Sequence, residues 1–71
     1  MNGQEFINQS IHAGITMSAT EFFQTSYDEH QVPFDGDTIS ADCAIADAME
    51  QMGYTDQEIY QALYGYFYGY P

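Results

Sequence analysis

The stretch Gly53-Tyr54-Thr55-Asp56-Gln57-Glu58-Ile59 contains a helix stop followed at once by a helix start. Gly53 can adopt the left-handed conformation that ends many helices. Thr55 and Glu58 have capping-box spacing, in which each side chain bonds the backbone N–H of the other residue. The tyrosine before this box and the isoleucine after it form a hydrophobic staple. The stretch therefore predicts two helices that are joined by a short turn.

The helix that begins at this box carries two apolar stripes, each with a spacing of four residues. One stripe can pack on the core, while the other is rich in tyrosine and can face a second copy of the protein or another partner. From Tyr64 to Tyr70 the chain consists of five aromatic residues and two glycines, so an extended arm is the alternative to a helix there. The stripes consist of Ile59, Leu63 and Phe67 and of Tyr60, Tyr64 and Tyr68.

The segment before Gly53 is predicted to be an amphipathic helix that Ser40 caps. Its apolar positions fall on one face, and acidic residues with a cysteine fall on the opposite arc. The apolar face comprises Ala41, Ala44, Ile45, Ala48 and Met52, with Met49 at its edge, and the opposite arc comprises Asp42, Cys43, Asp47 and Glu50.

Two more helices are predicted in the N-terminal half. The first runs from about Gly3 to Thr16, and the second begins at the capping box Ser18-Ala19-Thr20-Glu21 and ends near Gln31. The sequence leaves open whether they are separate or form one kinked helix. Their apolar residues are Phe6, Ile7, Ile11 and Ile15 in the first and Phe22, Phe23 and Tyr27 in the second.

Residues 32–38 combine Pro33 and Gly36 with two aspartates, which predicts a loop. β-type alternation of useful length is absent from the sequence. Hydrophobic residues make up 45% of the chain and aromatic residues 17%, so the chain can bury a core. We therefore expect an all-α fold: a small bundle of about four short helices in a single domain, residues 1–71.

The chain has eleven Asp or Glu residues and no Lys or Arg, which gives a formal net charge of −11. A net charge of about 2 to 8 would already keep a small domain soluble. Direct binding to nucleic acid is disfavoured, because such complexes depend largely on Lys and Arg contacts to phosphate. An anionic membrane surface would repel the chain as well. A basic surface on another protein is the expected partner, and a solvated acidic face without a target is the alternative.

The charge density of the chain is comparable to that of DNA. A compact chain of this length has a diameter of roughly 30 Å, and duplex DNA of that length carries on the order of 17 phosphate charges. Charges of a single sign repel one another and lower the stability of the folded chain. This cost favours a functional role for the negative charge. Acids in first helical turns can instead stabilise the helix dipole. The best candidates for phosphate-mimicking side chains are Asp28, Glu29, Asp35, Asp37, Asp42, Asp47 and Glu50.

Signals for catalysis or cofactor binding are weak. His12 and His30 have no partner at a diagnostic spacing, and the acids from Asp35 onward do not fit the ligand pattern of a calcium-binding loop. Cys43 is the only cysteine, so an internal disulfide is impossible. We expect no enzymatic activity, no metal and no cofactor. No apolar run approaches the roughly 20 residues of a membrane span, and a cytoplasmic protein is expected.

The aromatic residues near the C-terminus exceed what one small core is expected to absorb. Tyr and Phe are enriched in the cores of protein interfaces, so a homodimer interface is expected here. Covering the protein's own core and contacting the target are the alternatives. The residues concerned are Tyr60, Tyr64, Tyr66, Phe67, Tyr68 and Tyr70.

In size and charge the chain resembles the DNA-mimic inhibitors that bacteriophages and mobile elements encode. That class includes anti-CRISPR proteins, anti-restriction proteins and inhibitors of DNA gyrase or of uracil-DNA glycosylase. The resemblance concerns composition rather than a motif. It implies an acidic protein that takes part in host takeover. Such a protein would act in the host bacterial cytosol and occupy the DNA-binding channel of a host enzyme.

A second resemblance is local and spans residues 52–63. Met52-Gly53-Tyr54, followed by Gln57-Glu58-Ile59 and Ala62-Leu63, is similar to the first two helices of ubiquitin-associated domains. In that family the Met-Gly-Phe/Tyr loop contacts ubiquitin. The third helix of the family has no match here. This resemblance implies an alternative function as an acidic interaction or assembly adaptor that does not compete with DNA.

Overall fold

Four helices make up the described part of the chain, residues 2–30 and 41–69 of the computed structural model, and no strand occurs in these two ranges. The all-α prediction is confirmed, and the tyrosine-rich segment is helical as far as Tyr68. The predicted loop at residues 32–38 and the predicted cap Ser40 lie outside the described residues. The helices are α1 (Gly3–Ala13), α2 (Ala19–His30), α3 (Ala41–Met52) and α4 (Asp56–Tyr68).

The first two helices are separate. Asn2 caps α1 by accepting a hydrogen bond from the Glu5 N–H at 2.8 Å. Gly14 has a φ of +78°, and its N–H donates to the carbonyl of Ser10 at 3.0 Å. The helix therefore stops at Ala13, because a residue with a positive φ cannot continue a right-handed helix, and the expected extension to Thr16 is wrong.

The second helix begins where its capping sequence predicts. Ser18 Oγ accepts a hydrogen bond from the Glu21 N–H at 3.2 Å, which is one of the two bonds of the expected box. The Ser18 carbonyl accepts the first helical bond, from the Phe22 N–H at 2.9 Å. The helix ends at His30, next to the expected end.

The junction between α3 and α4 forms as predicted. Gly53 has a φ of +119°. The Tyr54 N–H donates to the Met49 carbonyl at 3.1 Å and the Gly53 N–H to the Glu50 carbonyl at 3.2 Å, which is the Schellman pattern. Thr55 Oγ1 accepts from the Glu58 N–H at 3.1 Å, and Glu58 Oε1 accepts from the Thr55 N–H at 2.9 Å. The complete capping box fixes where α4 begins.

The core lies between two helix pairs, α1 against α3 and α2 against α4, with α2 also in contact with α3. Its largest fully buried side chains come from α1, α2 and α3. Alanines from α2, α3 and α4 fill the spaces between them, because a small side chain lets two helices approach closely. The large buried side chains are Ile7, Phe23, Ile45 and Met49, and the alanines are Ala19, Ala44, Ala48 and Ala62.

Two details of the expected core are wrong. Met49, expected at the edge of the apolar face of α3, is fully buried, whereas Met52 of that face is only half-buried. In α1 the buried stripe is Gly3, Phe6, Ile7 and Ser10, whereas Ile11 and Ile15 are 41% and 51% exposed. Small residues in this stripe allow α1 to lie close to α3, and Ile15 lies beyond the end of the helix.

Candidate functional site

The candidate acids occupy two places in the described chain. Asp47 and Glu50 are exposed on the outer arc of α3, and Asp42 is half-buried in its first turn. Asp28 and Glu29 are exposed near the end of α2. Asp35 and Asp37 lie outside the described residues, so their role as phosphate-mimicking side chains stays a prediction.

The acids of α3 form a short row along the helix. Asp42 and Glu50 are eight residues apart, which corresponds to about 12 Å at 1.5 Å per residue. Asp47 Oδ1 accepts a hydrogen bond from Gln51 Nε2 at 3.0 Å. The chain has no Lys or Arg that could neutralise this row.

A groove lies between α3 and α4. Two acids of the α3 row, Asp47 and Glu50, line it together with Asp56 of α4. The groove has a volume of about 420 Å³, and its surface is mostly apolar. Both helices contribute residues at positions i, i+3, i+4 and i+7, so each presents one continuous face to the groove. The lining residues are Cys43, Ala46, Asp47 and Glu50 of α3 and Asp56, Ile59, Tyr60 and Leu63 of α4.

Sequence reasoning missed this groove. It treated Asp56 as a residue of the first turn of α4, where an acid stabilises the helix dipole. The signal that could have found the groove is the shared i, i+3, i+4, i+7 spacing on two helices joined by a three-residue turn.

Three tyrosines of α4 form a ladder on the surface. The ring centroids of Tyr60 and Tyr64 are 4.3 Å apart with the rings stacked, and those of Tyr64 and Tyr68 are 5.1 Å apart. Tyr60 is 60% exposed and Tyr68 is 75% exposed. The neighbouring Tyr64 hydroxyl raises the pKa of Tyr60. A second groove, of about 480 Å³, borders the ladder and is lined by Gln57, Tyr60, Gln61 and Tyr64.

Two other candidates of the tyrosine-rich segment pack against α2, and one of them, Phe67, is still 43% exposed. The Tyr66 and Phe67 rings both contact Phe23 and Tyr27 of α2, with centroid distances from 4.9 to 5.9 Å. The Tyr66 hydroxyl also donates a hydrogen bond to Asp28 Oδ1, and this bond raises the pKa of Tyr66. These residues hold α4 against α2. Tyr70 lies outside the described residues.

Tyr54 of the Met-Gly-Tyr loop is buried, with 6% of its surface exposed. Its hydroxyl donates to the Met17 carbonyl at 2.6 Å, and its ring centroid lies 6.0 Å from that of Phe22. Burial raises its pKa, with smaller contributions from Glu58 and Glu21. Tyr54 therefore ties the α3–α4 junction to the α1–α2 connection.

The described residues contain no group of three or more His, Cys, Asp or Glu side chains that could hold a metal ion. None of the four helices in these ranges is long and apolar enough to cross a membrane. Cys43 is an exposed free thiol.

No known protein family, no curated protein and no solved structure matches this chain. Functional inference therefore depends on the chain's own charge, grooves and exposed side chains.

Proposed function

We propose that the protein is a DNA-mimic inhibitor that occupies the DNA-binding channel of a host nucleic-acid-processing enzyme. The supporting observation is the set of eleven carboxylates in a chain without Lys or Arg. Candidate targets are CRISPR effectors, DNA gyrase or another topoisomerase, and restriction or repair enzymes. All of these bind DNA through basic surfaces.

The dimensions of the molecule suit this function. Its Cα radius of gyration is 11.1 Å, and its principal extents are 31 × 24 × 17 Å. A duplex as long as the largest extent carries on the order of 18 phosphate charges, so the protein offers a negative charge of the same order. Two copies side by side would carry more negative charge than that duplex.

The mechanism is electrostatic competition followed by steric occupation. The acids on the outer arc of α3 would meet Lys and Arg side chains that otherwise contact phosphate. An unbalanced negative field speeds the encounter with a basic channel, because it steers the approaching partner. Exposed tyrosines next to the acids would supply apolar contact area.

The test is affinity capture from bacterial lysate with elution by duplex DNA, repeated with two variants of equal net charge. The first variant neutralises the α3 row with Asp42→Asn, Asp47→Asn and Glu50→Gln. The second adds three cations elsewhere with Asn8→Lys, Gln9→Lys and Gln24→Lys. Each changes the formal charge from −11 by +3, to −8.

We expect the parent chain and the α1/α2 variant to capture a DNA-binding enzyme that duplex DNA releases, and the α3 variant to lose it. If both variants lost capture of the enzyme equally, the α3 row would not be the binding surface. Partners that DNA does not release would favour the adaptor function instead.

The tyrosine ladder supports a homodimer as part of this proposal. The groove beside it is lined by uncharged Gln57 and Gln61, so a second copy can approach there with less repulsion than at the acidic faces. Sedimentation equilibrium tests this association. The expected result is a dimer that Tyr64→Lys with Tyr68→Lys converts to a monomer, and a monomeric parent chain at all concentrations would exclude it.

A further inference from the structure

The open groove between α3 and α4 combines apolar and acidic side chains, and each helix contributes one face. Apolar Ile59 and Leu63 line it, with Tyr60 beside them. Asp47, Glu50 and Asp56 add carboxylates from both helices. An apolar groove between two helices is a recurring docking site for one face of an amphipathic helix.

The dimensions of the groove set the length of the segment that it can bind. On each helix the lining residues span eight positions, from Cys43 to Glu50 and from Asp56 to Leu63. The seven steps between the first and the last position correspond to about 10 Å, or two helical turns. A docked helix would therefore bury apolar side chains at positions i, i+3 or i+4, and i+7.

Charge decides what kind of helix fits. The three carboxylates cannot be neutralised within the chain, because the sequence has no Lys or Arg. A second copy would bring further carboxylates and no Lys or Arg to the same place, and like charges across an interface oppose binding. A helix with Lys or Arg beside its apolar face would instead pair with all three acids.

We propose that the α3–α4 groove binds a cationic amphipathic helix of a partner protein, two turns of which lie against Ile59, Tyr60 and Leu63. This inference goes beyond the DNA-mimic function, because it requires an apolar anchor as well as charge. It holds whether or not the partner binds DNA.

The probe is a fluorescent 14-residue peptide of Leu, Lys and Ala, with leucines at i, i+3, i+4 and i+7. Two control peptides separate the contributions. One has the same composition in an order that gives no apolar face, and the other has Glu in place of Lys. Binding is measured by fluorescence anisotropy against the full-length chain.

Cys43 reports whether the peptide occupies the groove. It is the only cysteine of the chain, is exposed and lines the groove. Its alkylation by iodoacetamide should slow in proportion to the fraction of protein bound by the amphipathic Lys peptide. The two control peptides should leave the rate unchanged at the same concentrations.

Two charge reversals localise the contact. Glu50→Lys places a cation in the groove, and Glu5→Lys makes the same change in net charge on the exposed side of α1. We expect Glu50→Lys to weaken binding on the order of tenfold and Glu5→Lys to weaken it by less than about twofold. Circular dichroism checks that both variants keep their helices.

Three results with the amphipathic Lys peptide would overturn the proposal. They are no binding of the amphipathic Lys peptide up to about 1 mM, binding that leaves Cys43 alkylation unchanged, and equal weakening by the two reversals. Equal binding of the reordered peptide would also contradict it, because attraction by charge alone would then suffice. None of these results depends on competition with DNA, so they leave the DNA-mimic proposal to its own test.

Discussion

Tyr54 is the residue that links the two halves of the described structure. It precedes the capping box of α4, and its hydroxyl reaches back 37 residues to the Met17 carbonyl before α2. One side chain at the predicted staple position thus makes a long-range hydrogen bond and packs against Phe22. The sequence predicted the staple but not the hydrogen bond, because the partner carbonyl belongs to a connection whose path depends on the fold.

Replacing Tyr54 with Phe should lower the free energy of unfolding at pH 7 by about 1 kcal/mol, because one hydrogen bond is lost. The pKa of Tyr54 is raised in the folded state. Its contribution to stability is therefore complete below the unfolded pKa near 10 and declines as the pH rises through the folded pKa. Urea unfolding should show a smaller effect of Tyr54→Phe at pH 10.5 than at pH 7.

Tyr68→Phe is the control for this experiment, since Tyr68 is 75% exposed. It should change the unfolding free energy little at either pH. An effect of Tyr54→Phe that stays constant or grows between pH 7 and 10.5 would contradict the assigned role of Tyr54.

Glu58 provides a test at the acidic end of the pH range. Its hydrogen bonds with Thr55 lower its pKa, because they stabilise the carboxylate. This stabilisation is present above the unfolded pKa of about 4.3 and is lost as the pH falls through the folded pKa. Glu58→Gln keeps the capping geometry without the charge, so it should destabilise the protein at pH 7 and have little effect near pH 3.

The comparison variant for Glu58→Gln is Glu50→Gln, which removes an exposed carboxylate that takes no part in a cap. It should stabilise slightly at pH 7, because it reduces repulsion among the acids. If both variants shifted the thermal midpoint in the same direction at pH 7, the cap of α4 would not depend on the Glu58 charge.

At the scale of elements, the α3–α4 junction depends on the backbone of Gly53. Its φ of +119° is rarely adopted by residues with a side chain, and a Cβ there would lie 3.6 Å from Ile15 Cδ1, an ordinary contact distance. Gly53→Ala should therefore cost about 1–2 kcal/mol through backbone conformation rather than through a clash. Gln61→Ala, on the exposed side of α4, should change stability by less than about 0.5 kcal/mol. Chemical unfolding of both variants measures the difference, and equal stabilities would show that the turn adjusts freely.

The number of helices and the start of α4 were predictable because their signals are local. Thr55 and Glu58 form their box from residues three apart, and Gly53 stops α3 whatever packs around it. The burial of Ser10 instead of Ile11 was not predictable, because it depends on how closely α1 approaches α3. For the same reason the sequence did not show which tyrosines of α4 pack within the protein. Tyr66 packs against α2, whereas Tyr64 remains at the surface.

The same limit applies to the candidate site. The acidic arc of α3 follows from helical spacing within one element, so its exposure was predictable. The groove that joins Glu50 to Asp56 requires the relative placement of two helices. The sequence encodes that placement only through the core residues that hold α3 and α4 in position.

At the scale of the whole molecule, the chain carries eleven like charges, and its principal extents are 31 × 24 × 17 Å. The Debye length is about 10 Å at 0.1 M salt, so charges at opposite ends are already screened there. Further salt can therefore relieve only the repulsion between neighbouring acids, such as those on the outer arc of α3. This repulsion acts on the folded state more than on the expanded unfolded chain, because folding brings the carboxylates closer together.

Salt should therefore stabilise this protein. We expect the thermal midpoint to rise when NaCl increases from about 0.02 M to about 0.5 M, with about 4–8 °C for each kcal/mol of repulsion that is relieved. The α3 variant with Asp42→Asn, Asp47→Asn and Glu50→Gln should show a smaller rise, because three neighbouring charges are gone. Differential scanning calorimetry at both salt concentrations measures the two responses. If the thermal midpoint of the parent chain did not rise with salt, the carboxylates would scarcely interact with one another. The dense negative surface that DNA mimicry requires would then be absent.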